Sequence, residues 1–151
     1  MLEIRKAEKS ELAKIAELEK EIFPDAWSVK SLEDTWIQNN AEIFIVFQKE
    51  NHADTEMQGY VIFYYVLDEG EIARIAVSPS VRRQGVATKI YNHLVEFCEE
   101  KAIKKIMLEV RENNESAKAF YRKCGFQEDG IRKNYYDNPK ENAVLMSVKL
   151  N

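Results

Sequence analysis

The sequence predicts a mixed α/β protein in which a mostly antiparallel central sheet of about seven strands is flanked by about four helices. Two observations predict this class. Strand-like and helix-like segments follow one another in the order β-α-α-β-β-β-α-β-α-β-β. The early strands are joined by short turns, as in antiparallel hairpins, whereas helices separate the later ones as crossovers. With 151 residues, of which 45% are hydrophobic, the chain is expected to form one domain over 1–151.

Two helices are expected after a first strand over residues 2–6. Ser10 is positioned to cap the first helix, whose apolar residues recur at helical spacing until a proline ends it. Ser28 is positioned to cap the second helix, which is expected to run to about residue 39. Its buried face is expected to carry Leu32 and Trp36.

The rest of the chain is expected to alternate strands and helices around a central strand over residues 72–77. Two hairpin strands precede it, over 42–48 and 58–67, and a polar loop over 49–57 joins them. The remaining elements are a helix over 85–101, a strand over 105–110, a short helix that follows Asn113–Ser116 and ends at Gly125, a strand that begins at Phe126, an aromatic and basic loop over 131–139, and a strand over 143–150.

Composition excludes several classes of protein. The chain has 22 Lys and Arg residues against 26 Asp and Glu, a net charge of −4, which argues against a nucleic-acid partner and suits a basic protein substrate. No apolar run is long enough to span a membrane, and the first residues read as a charged strand, not as a signal peptide. Cys98 and Cys124 are therefore expected to be free thiols in a reducing cytoplasm. No residue cluster suggests a metal.

The central strand leads into a helix through a polar turn with exposed backbone. Pro79 ends the strand, and the turn over 80–84 is followed by a helix that opens at Gly85. The first amides of a helix have no partner within it, and the helix dipole adds positive potential, so this turn is a natural anion site. Gly85 would let a phosphate approach the backbone closely. Neither Gly-x-Gly-x-x-Gly nor Gly-Lys-Ser/Thr is present, which disfavours dinucleotide and P-loop folds.

The hexapeptide Arg-Arg-Gln-Gly-Val-Ala over 82–87 resembles the acyl-CoA-binding signature of the GCN5-related N-acetyltransferase superfamily. Longer stretches resemble the bacterial ribosomal-protein alanine N-acetyltransferases, the RimI type, and together they cover most of the chain. These stretches are Leu-Glu-Val-Arg-Glu-Asn-Asn-Glu-Ser-Ala over 108–117, Ala-Phe-Tyr-Arg-Lys-Cys-Gly-Phe over 119–126, Gly-Ile-Arg-Lys-Asn-Tyr-Tyr over 130–136, Phe-Pro-x-x-Trp-Ser over 23–28, and Val-Leu-Asp-Glu over 66–69.

The resemblance implies acetyl-CoA as the acetyl donor, Glu109 as the general base and Tyr121 as the general acid. The residues implied to contact the donor are Ile75, Ala76, Val77, Arg82, Arg83, Gln84, Gly85, Val86, Ala87, Thr88 and Asn114. Trp27, Tyr135 and Tyr136 are expected to line a groove for the acceptor, since aromatic side chains anchor peptides.

Each of these side chains also has a purely structural reading. A glutamate on an open strand face can be merely solvated, and a helix tyrosine such as Tyr121 can belong to the core. Asn114 is most simply a helix cap, a role that can coexist with a ligand contact. Trp27 is equally compatible with a place in the core.

The proposed chemistry suits an N-terminal amine. Its pKa is near ~8 against ~10.4 for lysine, so deprotonation at pH 7 costs roughly 1 kcal/mol instead of ~4.6 kcal/mol. A carboxylate base is sufficient for that step. A backbone N–H near Val77 is expected to stabilise the oxyanion. Transfer of a proton from tyrosine to the departing thiolate is uphill by about 2 kcal/mol for ordinary pKa values.

The sequence therefore predicts an enzyme that moves acetyl from acetyl-CoA to the N-terminal alanine of a small-subunit ribosomal protein. The expected partner is the N-terminal segment of that protein, without nucleic acid or membrane. The first alternative is the same chemistry on another protein N-terminus, a lysine or a small-molecule amine. The second alternative is a non-catalytic acyl-CoA-binding module, which would bind the donor without transfer.

Overall fold

The structure, a computed structural model, describes residues 1–50 and 53–151. The strands within these ranges are β1 (Leu2–Lys6), β2 (Ala41–Glu50), β3 (Ala53–Val66), β4 (Glu69–Val77), β5 (Lys105–Arg111), β6 (Gln127–Tyr136) and β7 (Glu141–Lys149). They form one seven-stranded sheet in the order β1-β2-β3-β4-β5-β7-β6. The pairing of β4 with β5 is parallel, and the other five pairings are antiparallel. The predicted mixed, mostly antiparallel sheet is confirmed.

The helices of the described ranges are α1 (Leu12–Ile22), α2 (Val29–Trp36), α3 (Val86–Glu100) and α4 (Glu115–Lys123), with 3-10 turns at Lys9–Glu11 and Pro79–Val81. The predicted cap of α1 is wrong, because Ser10 lies inside a 3-10 turn and Glu11 Oε1 accepts the Glu8 N–H at 2.8 Å. The cap of α2 is confirmed, since Ser28 Oγ accepts the Ser31 N–H at 3.1 Å. No helix in the described part of the chain has the length and apolar character needed to span a membrane.

The sheet buries side chains on both faces. Along β2, Phe44 and Val46 point into a core beneath α3 and α4, and Ile43 and Ile45 point into a second core beneath α1 and α2. Successive strand residues face opposite sides, so this alternation fills both layers. Thr35 is buried on α2, whereas the predicted core residue Trp36 is 37% exposed.

Two predicted loops are largely strand. β2 continues to Glu50 and β3 begins at Ala53, so only residues 51 and 52 of the predicted 49–57 loop lie outside the described residues. β6 continues to Tyr136, which leaves residues 137–140 as the turn to β7. Nearly all of β6 is exposed, so it lacks the apolar alternation by which strands are recognised, and its pairing with β7 defines it instead.

Candidate active site

The sheet opens between its two parallel strands. Glu69–Ile72 of β4 pair with Lys105–Leu108 of β5, and the described residues show no pairing between these strands beyond that point. The continuation of β4, 73–77, therefore pairs only with β3 in the described chain. Backbone N–H and C=O groups on the β5 side of 73–77 are left without ladder partners, and they face the opening.

The turn after β4 presents free amides to the same end of the sheet. Gly85, at φ +81°, is the residue before α3, and no described side chain accepts a hydrogen bond there. A Cβ built on Gly85 would meet no described protein atom within 4 Å. Lys89 N–H donates to Gly85 O at 3.0 Å, so the helical ladder begins only there. The donor set and the open space fit a diphosphate.

The predicted contacts to the acetyl donor lie along this path. Val77 ends β4, and Arg82 and Arg83 lie exposed on the turn that follows it. Arg82 Nε donates to Val77 O at 3.5 Å. Asn114 is the cap of α4, since its Oδ1 accepts the Ala117 N–H at 3.2 Å, and this structural role is confirmed. The remaining predicted contacts, namely Ile75, Ala76, Gln84, Val86, Ala87 and Thr88, lie on β4, on the turn or in the first turn of α3.

Glu109 lies beside the opening, on the face opposite the α3 core. Its neighbours Leu108 and Val110 belong to that core, so alternation directs Glu109 to the other face. Glu109 Oε1 is 4.0 Å from Arg132 Nη2, and its side chain is 20% exposed. Its second oxygen, Oε2, is buried and has no hydrogen-bond partner among the described residues. A buried carboxylate oxygen without a partner costs free energy of folding, since its desolvation is not compensated. It is available to accept a proton, or a hydrogen bond, from a ligand.

Two tyrosines at the end of β6 adjoin Glu109. The rings of Tyr135 and Tyr136 lie 5.0 Å apart, and Arg111 stacks on Tyr136 at 4.4 Å. Burial, followed by the Glu109 charge, raises the pKa of Tyr136 to about 12. The same two causes raise the pKa of Tyr135, with a smaller contribution from the interaction of its hydroxyl with the Glu109 carboxylate. The structure thus brings both tyrosines and Glu109 together.

Tyr121 comes to this region from α4. Its ring is buried and packs on Phe120 and Phe126 at centroid distances of 5.5 and 5.4 Å. Burial raises its pKa well above the ordinary 10, with smaller contributions from Cys124 and Tyr136. The core reading of the ring is therefore correct. The raised pKa also keeps the hydroxyl protonated, as a hydrogen-bond donor, throughout the neutral range.

Sequence reasoning missed Glu71. It lies on β4 opposite Met107 of β5, and alternation places it on the same face as Glu109. Burial and the Glu109 charge raise its pKa, while Arg132 lowers it. We call the region bounded by Glu71, Glu109, Tyr135, Tyr136 and Asp25 the central cleft, since Asp25 also raises the pKa of Tyr136.

A side groove of about 490 Å³ adjoins the central cleft. Its lining residues are Ala26, Trp27, Ser28, Ser31, Asp34, Thr35 and Tyr64. Tyr64 of the groove is the cross-strand partner of Glu71 of the cleft, so the two spaces adjoin there. The Tyr64 hydroxyl lies 2.6 Å from Thr35 Oγ1. Trp27 is half-buried, so it both packs on the core of α1 and α2 and lines the groove.

The two cysteines are free, as predicted. Burial raises the pKa of the Cys98 thiol to about 12 and that of Cys124 to about 11. Both are therefore inert thiols near neutral pH, although Cys124 lies close to Tyr121.

The fold and this cleft define the class of protein. The model of the acetyltransferase (GNAT) family matches residues 12–126. The chain belongs to this family.

Individual relatives agree with that assignment. The ribosomal protein bS18-alanine N-acetyltransferase of Escherichia coli (strain K12) is 35% identical over 130 residues, which cover 85% of this chain and 82% of the relative. The crystal structure of the ribosomal-protein-S18-alanine N-acetyltransferase from Escherichia coli superimposes with a TM-score of 0.88 at 29% identity, covering 100% of this chain and 95% of that one.

A more distant structure shares the fold. Arabidopsis thaliana NAA60, solved in complex with acetyl-CoA, superimposes with a TM-score of 0.88 at 16% identity and covers 100% of this chain and 99% of that one. The family match over residues 12–126 confirms the superfamily suggested by the hexapeptide over 82–87.

Proposed function

We propose that this chain transfers the acetyl group of acetyl-CoA to the N-terminal alanine of ribosomal protein bS18, with Glu109 as base and Tyr121 as acid. One observation carries the catalytic part of the proposal: the buried, unpaired Oε2 of Glu109 beside the opening between β4 and β5. The names of the relatives at 29 and 35% identity support the substrate.

The turn and the central strand would hold the donor substrate. The amides of Gly85, Val86 and Ala87 would bind its diphosphate, because the first turn of α3 offers donors without protein partners. The unpaired edge of β4 near Val77 would align its extended arm as a neighbouring strand would. Bound acetyl-CoA supplies the activated acetyl group, and every remaining step is proton transfer or positioning by this chain.

Glu109 would remove one proton from the acceptor ammonium, so that the amine nitrogen can form the new bond to the acetyl carbon. Because an α-amine costs only roughly 1 kcal/mol to deprotonate at pH 7, the carboxylate need not be a strong base. A backbone N–H near Val77 would donate to the acetyl oxygen while that oxygen carries negative charge.

Tyr121 would donate a hydrogen bond to the sulfur as the carbon–sulfur bond breaks. Its raised pKa makes complete proton transfer harder than for an ordinary tyrosine, so solvent would complete protonation of the thiolate. The proton from the amine leaves by way of Glu109, and the products are the acetylated N-terminus and free CoA.

The acceptor would enter along the side groove and the central cleft. Trp27, Tyr135 and Tyr136 would contact its first residues, and the carboxylates of Glu71 and Glu109 suit a cationic N-terminus.

The decisive experiment is acetyl transfer measured by mass spectrometry. The probe is a peptide with the bS18 N-terminal sequence that begins with alanine, and the controls are the N-blocked peptide, a lysine peptide and spermidine. Rapid labelling of the free alanine amine is expected. Equal labelling of lysine or spermidine would contradict the substrate, and acetyl-CoA binding without labelling of any amine would contradict catalysis.

A further inference from the structure

A buried ion pair joins α1 to β4 directly behind residues 23–28. Glu19 has no exposed side-chain surface, and Arg74 is 12% exposed. Arg74 donates to both carboxylate oxygens of Glu19, at 3.0 and 3.1 Å, and the Tyr60 hydroxyl donates to the same carboxylate. Buried pairs of this kind are often no more stabilising than apolar residues of similar volume, so stability alone does not account for it.

Both members of the pair also hold the main chain of residues 23–28. The Trp27 N–H donates to Glu19 Oε1 at 3.0 Å. Arg74 Nη2 donates to the Asp25 carbonyl oxygen at 3.0 Å, and its guanidinium stacks on the Phe23 ring at 3.7 Å. The segment is thus held at three successive points by groups that cannot move without exposing or unpairing a buried charge.

The same segment is one wall of the central cleft. The charge of Asp25 is near enough to Tyr136 to raise the pKa of that tyrosine. Ala26 and Trp27 line the side groove. A shift of this segment would change the width of both spaces. Within the described chain, neither Glu109 on β5 nor the turn at Gly85 is hydrogen-bonded to it.

We propose that Glu19 and Arg74 form a positioning pair that fixes residues 23–28 as the acceptor wall of the cleft. The pair thereby determines which N-terminal segments are accepted. The identity of the acceptor rests on the proposed function, but the positioning itself does not. Loss of the pair should impair acceptor binding more than acetyl-CoA binding. Arg74 lies within 73–77, but its backbone stays paired with Ile62 of β3, and only its side chain, which contacts α1, is changed.

The kinetic test compares Arg74→Met, Arg74→Lys and the wild type. Arg74→Met is expected to raise the KM for the alanyl bS18 peptide about tenfold or more and to leave the KM for acetyl-CoA within about twofold. Arg74→Lys should fall between them, since lysine keeps the charge but cannot make the two-pronged contact. A purely structural role would instead lower the melting temperature without a selective change in KM, which would overturn the proposal.

Arg5→Met is the matched control. Arg5 also donates twice to a glutamate, Glu11, at 2.7 and 2.8 Å, and lies 4.8 Å from the centre of the Phe47 ring. It belongs to β1 at the sheet edge, so its loss should reduce stability without changing the KM for the peptide.

A second readout needs no substrate. In a Trp36→Phe background, Trp27 is the one tryptophan, and its emission reports the position of the segment. Arg74→Met, or Arg74→Lys if the former does not fold, should shift this emission to longer wavelength. An unchanged emission would overturn the positioning role. Failure of the wild type to acetylate the alanyl peptide would overturn only the proposed function, because the emission test stands without it.

Discussion

Arg132 approaches Glu109 at one oxygen only, with 4.0 Å between Nη2 and Oε1, and leaves Oε2 buried without a partner in the described chain. Arg132 is itself 56% exposed and stacks near Tyr135 at 5.5 Å. A pair so exposed on one side contributes little to stability. The arrangement leaves one oxygen of Glu109 available to accept a hydrogen bond from an incoming group.

Replacing the carboxylate should separate activity from stability. Glu109→Gln is expected to lower kcat about a hundredfold or more, since an amide cannot take the proton of the acceptor amine. The melting temperature should not fall, because the change removes a partly buried charge whose ion pair with the exposed Arg132, at 4.0 Å, contributes little to stability. Steady-state kinetics and thermal unfolding check both. Glu128→Gln, which removes a charge from an exposed pair with Arg122, is the control and should leave kcat unchanged.

The hydroxyl of Tyr121 should matter to turnover and hardly to the fold. Tyr121→Phe keeps the ring contacts with Phe120 and Phe126 and is expected to lower kcat about tenfold to a thousandfold. Tyr91→Phe removes another hydroxyl from a ring that packs on Phe126, 5.9 Å away, and should leave kcat unchanged. Equal rates for the two variants would rule out the acid role of Tyr121.

A methyl group at Gly85 should obstruct acetyl-CoA. Gly85→Ala and Gly125→Ala both place alanine at positive φ, +81° and +100°, so each is expected to cost about 1 kcal/mol of stability. The Cβ at 85 would occupy the open space before α3, whereas the Cβ at 125 would make ordinary contact with Val148 at 3.6 Å. Calorimetry should therefore show at least tenfold weaker CoA binding for Gly85→Ala alone. Equal affinities would place the diphosphate elsewhere.

Alkaline pH should destabilise the fold through buried acids. Burial raises the pKa of Cys98 from 9.0 to about 12 and that of Tyr91 from 10.0 to about 12. Because the folded pKa lies above the unfolded one, this stability is fully present below pH 9 and is lost as pH rises towards 12. For each group the slope approaches about 1.4 kcal/mol per pH unit between its two pKa values.

Urea unfolding at several values between pH 7 and pH 11 measures that slope. Cys98→Ala should be less stable at pH 7 because of the cavity it creates, yet it should decline more shallowly with pH. A free energy of unfolding that rises with pH over this interval would contradict the assignment of these groups as buried acids.

The sequence predicted the elements that carry local signals and missed those defined by pairing. The strand before Gly85 and the helix after it are predictable because an apolar, β-branched run, a proline and a glycine mark them. The exposed strand β6 carries no such alternation, so residues 131–136 read as a loop, although hydrogen bonds to β7 make them a strand. The local pattern of apolar residues reflects which positions are buried. An exposed strand has almost no buried positions and therefore shows no such pattern.

The candidate site divides in the same way. Glu109 and Tyr121 were predicted because they lie in stretches that resemble a known family. Glu19 looked like any other acidic residue of α1, since its partners Tyr60 and Arg74 are 41 and 55 positions away along the chain. Such contacts arise from tertiary packing, so the spacing of residue types along the sequence does not predict them.

The incomplete pairing of β4 with β5 has a mechanical consequence. Of the nine residues of β4, four pair with β5 in the described chain, so the two halves of the sheet share a seam less than half as long as the strand itself. A substrate arm bound against 73–77 would bridge the halves where the ladder is missing. We therefore expect the amide hydrogens of β4 to exchange fastest along this seam when the enzyme is empty. Bound acetyl-CoA should slow that exchange until CoA dissociates.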